Sequence, residues 1–333
     1  MDTKSNKRPR EEITQQRLVS KVIIYDKSKP NQWLDDPPLE IWDHVIIPML
    51  GLKDLALARL VCTFFEAYWQ DKFSNNVLPL RVGLDVATID DVMGVIGIFC
   101  DRRRYLSRYT EYTKSNPLVV LLGKGEHQIT SSWTSLYSDA HQTTLSITRS
   151  NITFVGKGKD TTTILGGFYI GLKRNITFKQ MTVTNTSTGG DGIRTIESKV
   201  ELIDVALKGC TNAGLRADAD TILVATRCEF ANNSRHGAFV IGCLTSTKFN
   251  NCVFNENKSN GIEGIIACNI HLYGEVTAIH LNGRYGISAT GRSKVIIHLP
   301  SHHNTTYNNG DEDRRTNSIN HWEEDGSITN VED

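Results

Sequence analysis

The sequence repeats itself from about residue 150 to residue 310. A glycine followed by an apolar residue recurs at intervals of 22, 23, 24 and 25 residues. The five steps are Gly192-Ile193, Gly214-Leu215, Gly237-Ala238, Gly261-Ile262 and Gly286-Ile287. Such regular spacing indicates that one supersecondary unit is stacked repeatedly, and this constrains the whole fold.

Two further columns keep the same period, and both hold apolar pairs two residues apart, which is the signature of a strand. The first column holds Ile152/Phe154, Ile176/Phe178, Val200/Leu202, Ile222/Val224, Thr247/Phe249, Ile270/Leu272 and Val295/Ile297. The second holds Met181/Val183, Val205/Leu207, Cys228/Phe230, Cys252/Phe254 and, less regularly, Val276/Ala278. Each repeat therefore contains three short strands, and stacking the repeats buries a continuous apolar column.

This pattern resembles the right-handed parallel β-helix of the pectin-lyase-like family. The resemblance implies a mainly-β solenoid of about seven rungs over residues 117–310. No six-residue rhythm of a left-handed β-helix is present, and no Leu-x-x-Leu-x-Leu run of a leucine-rich repeat. Asparagines crowd the predicted turns, where they tolerate left-handed backbone and can form ladders between rungs. They are Asn185, Asn212, Asn232, Asn233, Asn255, Asn257, Asn282 and Asn308.

Residues 36–80 have a helical pattern, with apolar residues at three- and four-residue steps. The segment resembles an F-box, the module that docks a Skp-family adaptor in Skp–cullin–F-box ubiquitin ligases. The most specific part is the Leu-x-x-Leu-Val-Cys-x-x-Phe run from Leu57 to Phe65. Pro48 departs from the pattern because proline should kink a helix there. The resemblance implies helix-in-groove contacts through Pro38, Leu39, Ile41, Ile46, Leu50, Leu55, Leu60, Val61 and Phe65.

Residues 81–116 are predicted to form a linker and a capping helix. Thr88 followed by Asp91 is a capping signature. One helical face then follows, made of Ile89, Val92, Ile96 and Phe99. A helix before the strand at Leu118 resembles the N-terminal cap of pectin-lyase-like solenoids, which covers exposed strand edges. Residues 1–35 are predicted to be a basic, disordered tail, and residues 311–333 an acidic tail.

Composition excludes several function classes. Lys plus Arg and Asp plus Glu both number 37, so the chain lacks the basic footprint of a bulk nucleic-acid binder. The longest apolar run, residues 92–100, is too short to span a bilayer, and no apolar signal region is present, which predicts no membrane contact. Seven cysteines without a Cys-x-x-Cys motif indicate reduced thiols, with Cys228 and Cys252 stacked in the core and no metal or cofactor. We expect a cytoplasmic protein. Lys7-Arg8-Pro9-Arg10 fits a short nuclear-import pattern, so a nuclear location is the alternative.

Catalysis by the coil has few candidate residues. The Asn-Thr-Asp, Asp-Asp, Gly-His-Gly and Arg-Ile-Lys motifs of β-helix polygalacturonases do not occur on the coil. Asp191, Asp218 and Asp220 with Arg194 and Arg216 are the candidates for a lyase centre. Their simpler interpretation is charge pairing between neighbouring strands.

A binding face is the stronger prediction. The residue after each glycine–apolar step should point outward, which gives Arg194, Arg216, Phe239, Glu263 and Ser288. Arg194, Arg216 and Phe239 then lie side by side as candidate target-binding residues, and the simpler alternative is a solvated face with one scattered aromatic ring. Two arginines on adjacent rungs are suited to an acidic or phosphorylated partner, and an exposed aromatic ring is a common anchor. His236, just before the turn glycine, is expected to be a turn residue.

An F-box before a solenoid is the usual plan of a ligase substrate receptor. The sequence therefore predicts a non-catalytic substrate-recognition subunit of a Skp–cullin–F-box type ubiquitin ligase. Its partners would be a Skp-family adaptor, through it a cullin, and an unknown target protein on the β-helix face. Two alternatives stay open, a polysaccharide lyase or hydrolase of the pectin-lyase-like class and a non-ligase interaction scaffold.

Overall fold

The computed structural model describes residues 79–84, 86–94, 112–115, 117–134, 141–299, 306–318 and 324–332. Within these ranges the chain forms a mainly-β, right-handed parallel solenoid of about seven turns. The predicted basic tail, and the predicted F-box with all its proposed adaptor-binding residues, lie outside the described residues.

The solenoid has three strand faces. The first face contains β1 Leu80–Arg81, β2 Leu118–Leu121, β6 Ile152–Val155, the first halves of β9 Ile176–Thr184 and β11 Lys199–Lys208, then β13 Ile222–Thr226, β16 Ser246–Asn250, β19 Asn269–Tyr273, β22 Lys294–Leu299 and β25 Ser327–Glu332. The second face contains β3 Gly125–Gln128, β7 Thr162–Leu165, the second halves of β9 and β11, then β14 Glu229–Ala231, β17 Val253–Asn255, β20 Ala278–His280 and β23 Thr306–Tyr307. The third face contains β4 Ser132–Thr134, β5 His141–Ser146, β8 Gly167–Gly171, β10 Ile193–Ile196, β12 Leu215–Asp218, β15 Ala238–Ile241, β18 Ile262–Ile265, β21 Tyr285–Thr290 and β24 Glu312–Asn317.

The glycine steps mark the third face, as the repeat predicts. Their apolar residues pair in parallel register from Ile193 to Leu215, Ala238, Ile262 and Ile287. All five are fully buried, so every coil contributes one side chain to the core at this position. A Cβ added to the glycine of each step would come too close to the next rung. At position 192, for example, it would lie 2.6 Å from the backbone oxygen of Gly214. Only glycine leaves room for that approach.

The first face follows the predicted apolar pairs except on one rung. Val200 pairs with Leu223 and Leu202 with Ala225, so Leu223 and Ala225 point inward. Ile222, predicted to be inward, is 45% exposed. The Ile-Leu-Val-Ala run is apolar at both parities, so the alternation alone could not determine which pair faces the core.

The second face also differs from the prediction on one rung. Phe254 pairs with Ile279, which is fully buried, whereas Val276 is 64% exposed.

Aromatic rings stack inside the coil at two levels. Phe154 and Phe178 lie 5.2 Å apart between ring centroids, and Phe230 and Phe254 lie 4.6 Å apart, both nearly parallel. Such stacking stabilises the core beyond the contribution from burying each ring.

A buried ladder of asparagine amides runs along the turn between the second and third faces. Asn233, Asn257, Asn282 and Asn309 each donate from Nδ2 to a carbonyl in the coil before, at 2.9 to 3.2 Å. The Nδ2 groups of the first three also donate to Oδ1 of the next asparagine at 2.9 Å. The predicted ladder is therefore confirmed, with Asn309 rather than Asn308 as its last amide.

The start of the capping helix has the predicted cap. The Thr88 backbone N–H and hydroxyl both donate to Asp91 Oδ2 at 3.0 Å, and the Asp91 N–H donates to the Thr88 hydroxyl at 3.3 Å. Helical residues 89–94 follow, with Ile89 and Val92 buried. Asp90 accepts a 2.7 Å bond from the Thr130 N–H, which attaches the helix to the first coil.

The acidic tail predicted for residues 311–333 is corrected by the structure, because β24 and β25 pair with the preceding coil. Arg314 and Asn330 occupy the positions that Ile287 and Ile297 fill one coil earlier, and Thr306 follows Ile279. Arg314 donates to Asn330 Oδ1 at 3.2 Å and to the Thr306 hydroxyl at 3.3 Å. A polar triad thus closes the apolar core.

We expect Asn257→Ala to lower the free energy of unfolding by about 2–4 kcal/mol, because it leaves buried donors and acceptors in two neighbouring rungs without partners. Urea unfolding followed by circular dichroism measures the loss. Ser234→Ala, an exposed change in the same row of turns, is the control and should cost about 0.5 kcal/mol or less. Equal losses in the two variants would contradict a stabilising role for the ladder.

We expect Arg314→Leu to promote self-association, because it makes the coil of β24 and β25 apolar beside strand edges that no other described strand pairs with. Sedimentation velocity over a range of concentrations measures this against the wild type. Lys294→Leu, which makes the same chemical change at an exposed position of β22, is the control. An Arg314→Leu protein that sediments like the wild type would show that the polar triad does not protect this end.

Candidate functional site

The candidate target-binding residues lie together on the third face. One outward row runs in register through Tyr169, Arg194, Arg216, Phe239, Glu263, Ser288 and Arg315. Strand alternation turns these side chains away from the core, and all but Ser288 are partly exposed. The predicted trio of Arg194, Arg216 and Phe239 therefore occupies three adjacent rungs.

Both arginines of that trio are already bound by one carboxylate. Arg194 Nη2 lies 3.2 Å from Asp218 Oδ2, and Arg216 Nε lies 2.9 Å from Asp218 Oδ1. The side chains of Arg194, Arg216 and Asp218 are 16%, 25% and 12% exposed, respectively. Charge pairing between strands was the simpler interpretation, and the structure shows it in a largely buried form.

Asp191 is the most perturbed carboxyl group near this cluster. It is buried, and its Oδ1 accepts a 3.1 Å bond from the Ala213 N–H. Burial raises the pKa of Asp191 to about 6, although Arg216, the Ala213 bond and Arg194 oppose the shift. The structure thus brings Asp191 and Asp218 together with both arginines, whereas Asp220 lies exposed at the next corner with a φ of 47°.

His236 and Phe239 form an aromatic pair in the middle of the face. Their ring centroids lie 5.4 Å apart at an interplanar angle of 18°, and the Arg216 guanidinium lies 5.3 Å from the Phe239 centroid. Burial, followed by the positive charges of Arg235 and Arg284, lowers the pKa of His236 to about 4. His236 was expected to be a turn residue. In the structure its neutral ring also packs against the ring of Phe239.

A second polar cluster lies on the same face; the sequence placed Glu263 and Ser288 on the outward row but did not connect them with Arg315. Glu263 accepts hydrogen bonds from Ser288, at 3.2 Å, and from Asn260. Burial raises the pKa of Glu263 despite these bonds and the nearby charges of Arg284 and Arg315. The Arg315 guanidinium lies 4.6 Å from the Tyr285 ring centroid and donates to its hydroxyl. Assigning residues 311–333 to a tail hid this cluster, since Arg315 belongs to β24.

A third cluster on the first face was also missed. His271 Nδ1 and His298 Nε2 lie 3.0 Å apart, and Tyr273 stacks on His298 with centroids 4.0 Å apart. Burial, with His298 and Lys248, lowers the pKa of His271. The signal was present, because these residues occupy outward positions of β19 and β22. His302 and His303 lie outside the described residues.

Neither a metal cluster nor a membrane helix is found in the described part of the chain. No three His, Cys, Asp or Glu side chains there are grouped as metal ligands would be. No described helix is long and apolar enough to cross a bilayer. Cys228 and Cys252 are buried free thiols, as predicted.

Comparison with known protein families matches residues 135–310, more than half of the chain, to a family described as right handed beta helix region. No curated protein matches the sequence. Several solved structures resemble the fold, including the following three. The Agl-KA catalytic domain has 14% identity and a TM-score of 0.43, covering 73% of this chain and 47% of that chain. A pectin methylesterase mutant in complex with a hexasaccharide has 11% identity and a TM-score of 0.37, covering 67% and 78%. The A-module of the mannuronan C-5 epimerase AlgE4 from Azotobacter vinelandii has 12% identity and a TM-score of 0.27, covering 71% and 95%.

The chain spans about half the length of the first of these structures. Likeness of this degree says nothing about activity, substrate or partners.

We expect Asp191→Asn to raise the free energy of unfolding at pH 8 by about 1–3 kcal/mol, since a shift of one pKa unit corresponds to about 1.4 kcal/mol. The folded-state pKa, about 6, lies above the unfolded value of 3.8, so the charged form destabilises the fold. This cost is fully present above pH 6 and disappears as the pH falls toward 3.8. Asparagine keeps the acceptor for Ala213 without the charge.

Urea unfolding at a series of pH values measures the difference between Asp191→Asn and the wild type. It should shrink between pH 6 and pH 4. Asp220→Asn, at an exposed carboxylate, is the control and should shift the curve by less than about 0.5 kcal/mol at any pH. A loss of stability in Asp191→Asn at pH 8 would show that attraction to Arg194 and Arg216 outweighs burial.

Proposed function

The chain belongs to the right-handed β-helix family, and from that premise we propose that it is the substrate-recognition subunit of a Skp–cullin–F-box type ubiquitin ligase. In this proposal residues 36–80 dock a Skp-family adaptor, and the adaptor links the chain to a cullin. The third face of the solenoid holds the target protein. The chain itself makes no bond, but raises the effective concentration of target lysines near the conjugating enzyme.

The observation that carries the binding role is the pairing of Asp218. Its carboxylate accepts hydrogen bonds from two guanidinium groups, at 2.9 and 3.2 Å. A carboxylate paired in this way is suited to positioning arginines on a rigid face.

The arrangement of the third face supports the same role. Parallel pairing spaces its outward side chains at about 4.8 Å per rung, which gives a partner a regular row of contacts. Phe239, supported by His236 and flanked by Arg216, supplies the large side chain that interface anchors commonly use. No part of the row requires a cofactor for binding.

The ligase role itself rests on the F-box resemblance. Leu60 and Val61 belong to the Leu57–Phe65 run that carries it, and they are expected to enter the apolar adaptor groove. An acidic side chain at either position would be buried without a partner.

A polysaccharide lyase or hydrolase is the second candidate, favoured by one observation. The pKa of Asp191, about 6, would let its carboxyl group act near neutral pH. Against it, Asp191 is buried, with its Oδ1 bonded to the Ala213 N–H. Such an enzyme would act on an acidic polysaccharide and lose activity on removal of Asp218 or Asp220.

We expect the full-length protein to capture a purified Skp-family adaptor, and the double variant Leu60→Asp/Val61→Asp to lose at least about tenfold in affinity. Pull-down followed by calorimetry measures both. The matched control is Ile222→Asp/Leu244→Asp, which makes the same change at positions 45% and 69% exposed on the coil. The control should bind like the wild type.

Folded wild-type protein that fails to bind the adaptor would contradict the ligase proposal. Turnover of an acidic polysaccharide by the same preparation would then favour the enzyme. An inactive, non-binding protein would favour an interaction scaffold outside the ligase system.

A further inference from the structure

A row of basic side chains lies along the edge of the third face. Arg235, Lys258 and Arg284 occupy turns that follow the asparagine ladder on three consecutive rungs, and all three are exposed. We call these three residues the basic edge. The Ser259 N–H donates to the Arg235 oxygen at 2.8 Å, and the Arg284 N–H donates to the Ser259 oxygen at 3.0 Å. Arg235 and Arg284 therefore share one register with Ser259 between them, and Lys258 lies one residue before Ser259 on the middle rung.

The basic edge borders the aromatic centre of the face. Arg235 precedes His236 in the chain, and the charges of Arg235 and Arg284 act on the His236 ring. That ring stacks on Phe239, which is partly exposed. A partner lying along the edge would therefore reach both the basic side chains and an apolar contact.

The positive charge of this edge is only partly balanced. Among the described residues, no carboxylate lies within ion-pair distance of Arg235 or Lys258. Arg284 pairs with Asp311 at 3.3 Å, but both side chains are about half exposed, so the pair is weak. Arg194 and Arg216, by contrast, are held by Asp218.

Asp311 shows what kind of group fits this edge. Its N–H donates to the Arg284 oxygen at 2.9 Å, so it occupies the next rung of the same row, and its carboxylate reaches back to Arg284. The chain thus already places one acidic side chain against its own basic edge. A partner carrying acidic side chains would repeat this contact on the rungs of Arg235 and Lys258.

We propose that the basic edge and Phe239 form the docking site for an acidic, extended segment of a protein partner, recognised through its Asp and Glu carboxylates. This deepens the proposed function, on which it rests, by naming the chemistry of the target.

The spacing of the bases favours a run of carboxylates. The rungs lie about 4.8 Å apart, so the three bases span about 10 Å. Carboxylates on alternate residues of an extended chain lie about 7 Å apart, so two of them fall within this span and can each meet a base. A single phosphate needs several donors directed at one point, whereas these side chains are spread along a line. Nucleic acid is disfavoured because the chain has no net charge.

The test uses the full-length protein and fluorescence anisotropy. The probe is a labelled peptide of about ten residues with Glu at alternate positions and one central Leu, which at about 33 Å when extended is long enough to cover the edge of about 10 Å on both sides of the Leu. We expect binding that weakens as salt rises from about 0.05 to 0.3 M, because the contacts are exposed. The Gln counterpart of the peptide should bind at least about tenfold more weakly.

The variant Arg235→Ala/Lys258→Ala should weaken binding of the acidic peptide at least about tenfold. The matched control is Lys199→Ala/Lys294→Ala, which removes the same charge from exposed positions on the first face and should leave binding unchanged. The wild type should bind this peptide more tightly than a counterpart with Ser in place of the central Leu, and Phe239→Ala should remove that preference. Equal losses in the two double variants would overturn the proposal, because they would reflect net charge alone.

Two other probes separate the possible partners. Tighter binding of a Gln peptide with one phosphoserine than of the Glu peptide would overturn recognition of carboxylates. Tighter binding of a single-stranded oligonucleotide of equal charge would overturn a protein partner. Adaptor capture by Arg235→Ala/Lys258→Ala should stay at the wild-type level, so the docking site and the ligase role can fail separately.

Discussion

The buried amide ladder is the interaction on which the rest of the solenoid depends. Each coil must turn between its second and third faces inside the protein, where an unpaired peptide group is costly. A carboxamide carries donors and an acceptor at once, so Asn257 can donate to the preceding carbonyl and to the next asparagine while it accepts from Asn233. Because the third-face strand begins a few residues later, the ladder also sets the register of Arg216, Phe239 and Glu263.

The sequence predicts the fold well where one parity is apolar and the other polar. The glycine steps and the pairs around Phe154 and Phe178 are examples, since a shifted register would bury a polar side chain. The pattern fails at Ile222, because Leu223 beside it is also apolar and both registers can fill the core. It fails at Val276, because Ala278 and Ile279 are apolar at both parities and the strand uses Ile279. It fails again after residue 310, where a high charge suggests a solvated tail although Arg314 and Asn330 bond to each other at the coil end.

The candidate site is predictable in position but not in chemistry. Alternation alone places Arg194, Arg216 and Phe239 on the outward row. It does not reveal that Asp218, two residues beyond Arg216, accepts bonds from both arginines, because that depends on the offset between strands. Nor does it reveal His236 beneath Phe239, since that contact crosses a turn. Spacing along a strand gives the direction of a side chain, whereas its contacts depend on three-dimensional geometry.

The polar triad around Arg314 can close the solenoid whatever the number of coils before it. Every internal coil offers the same two surfaces to its neighbours, so a duplicated or deleted repeat would leave inward and outward positions unchanged. The closing coil needs only an apolar layer beneath it. Gene duplication within the repeat region could therefore lengthen the solenoid without a new terminus. Each duplication would lengthen the outward row by one strand spacing, about 4.8 Å. The length of the row could thus change in small, regular steps to fit partners of different lengths.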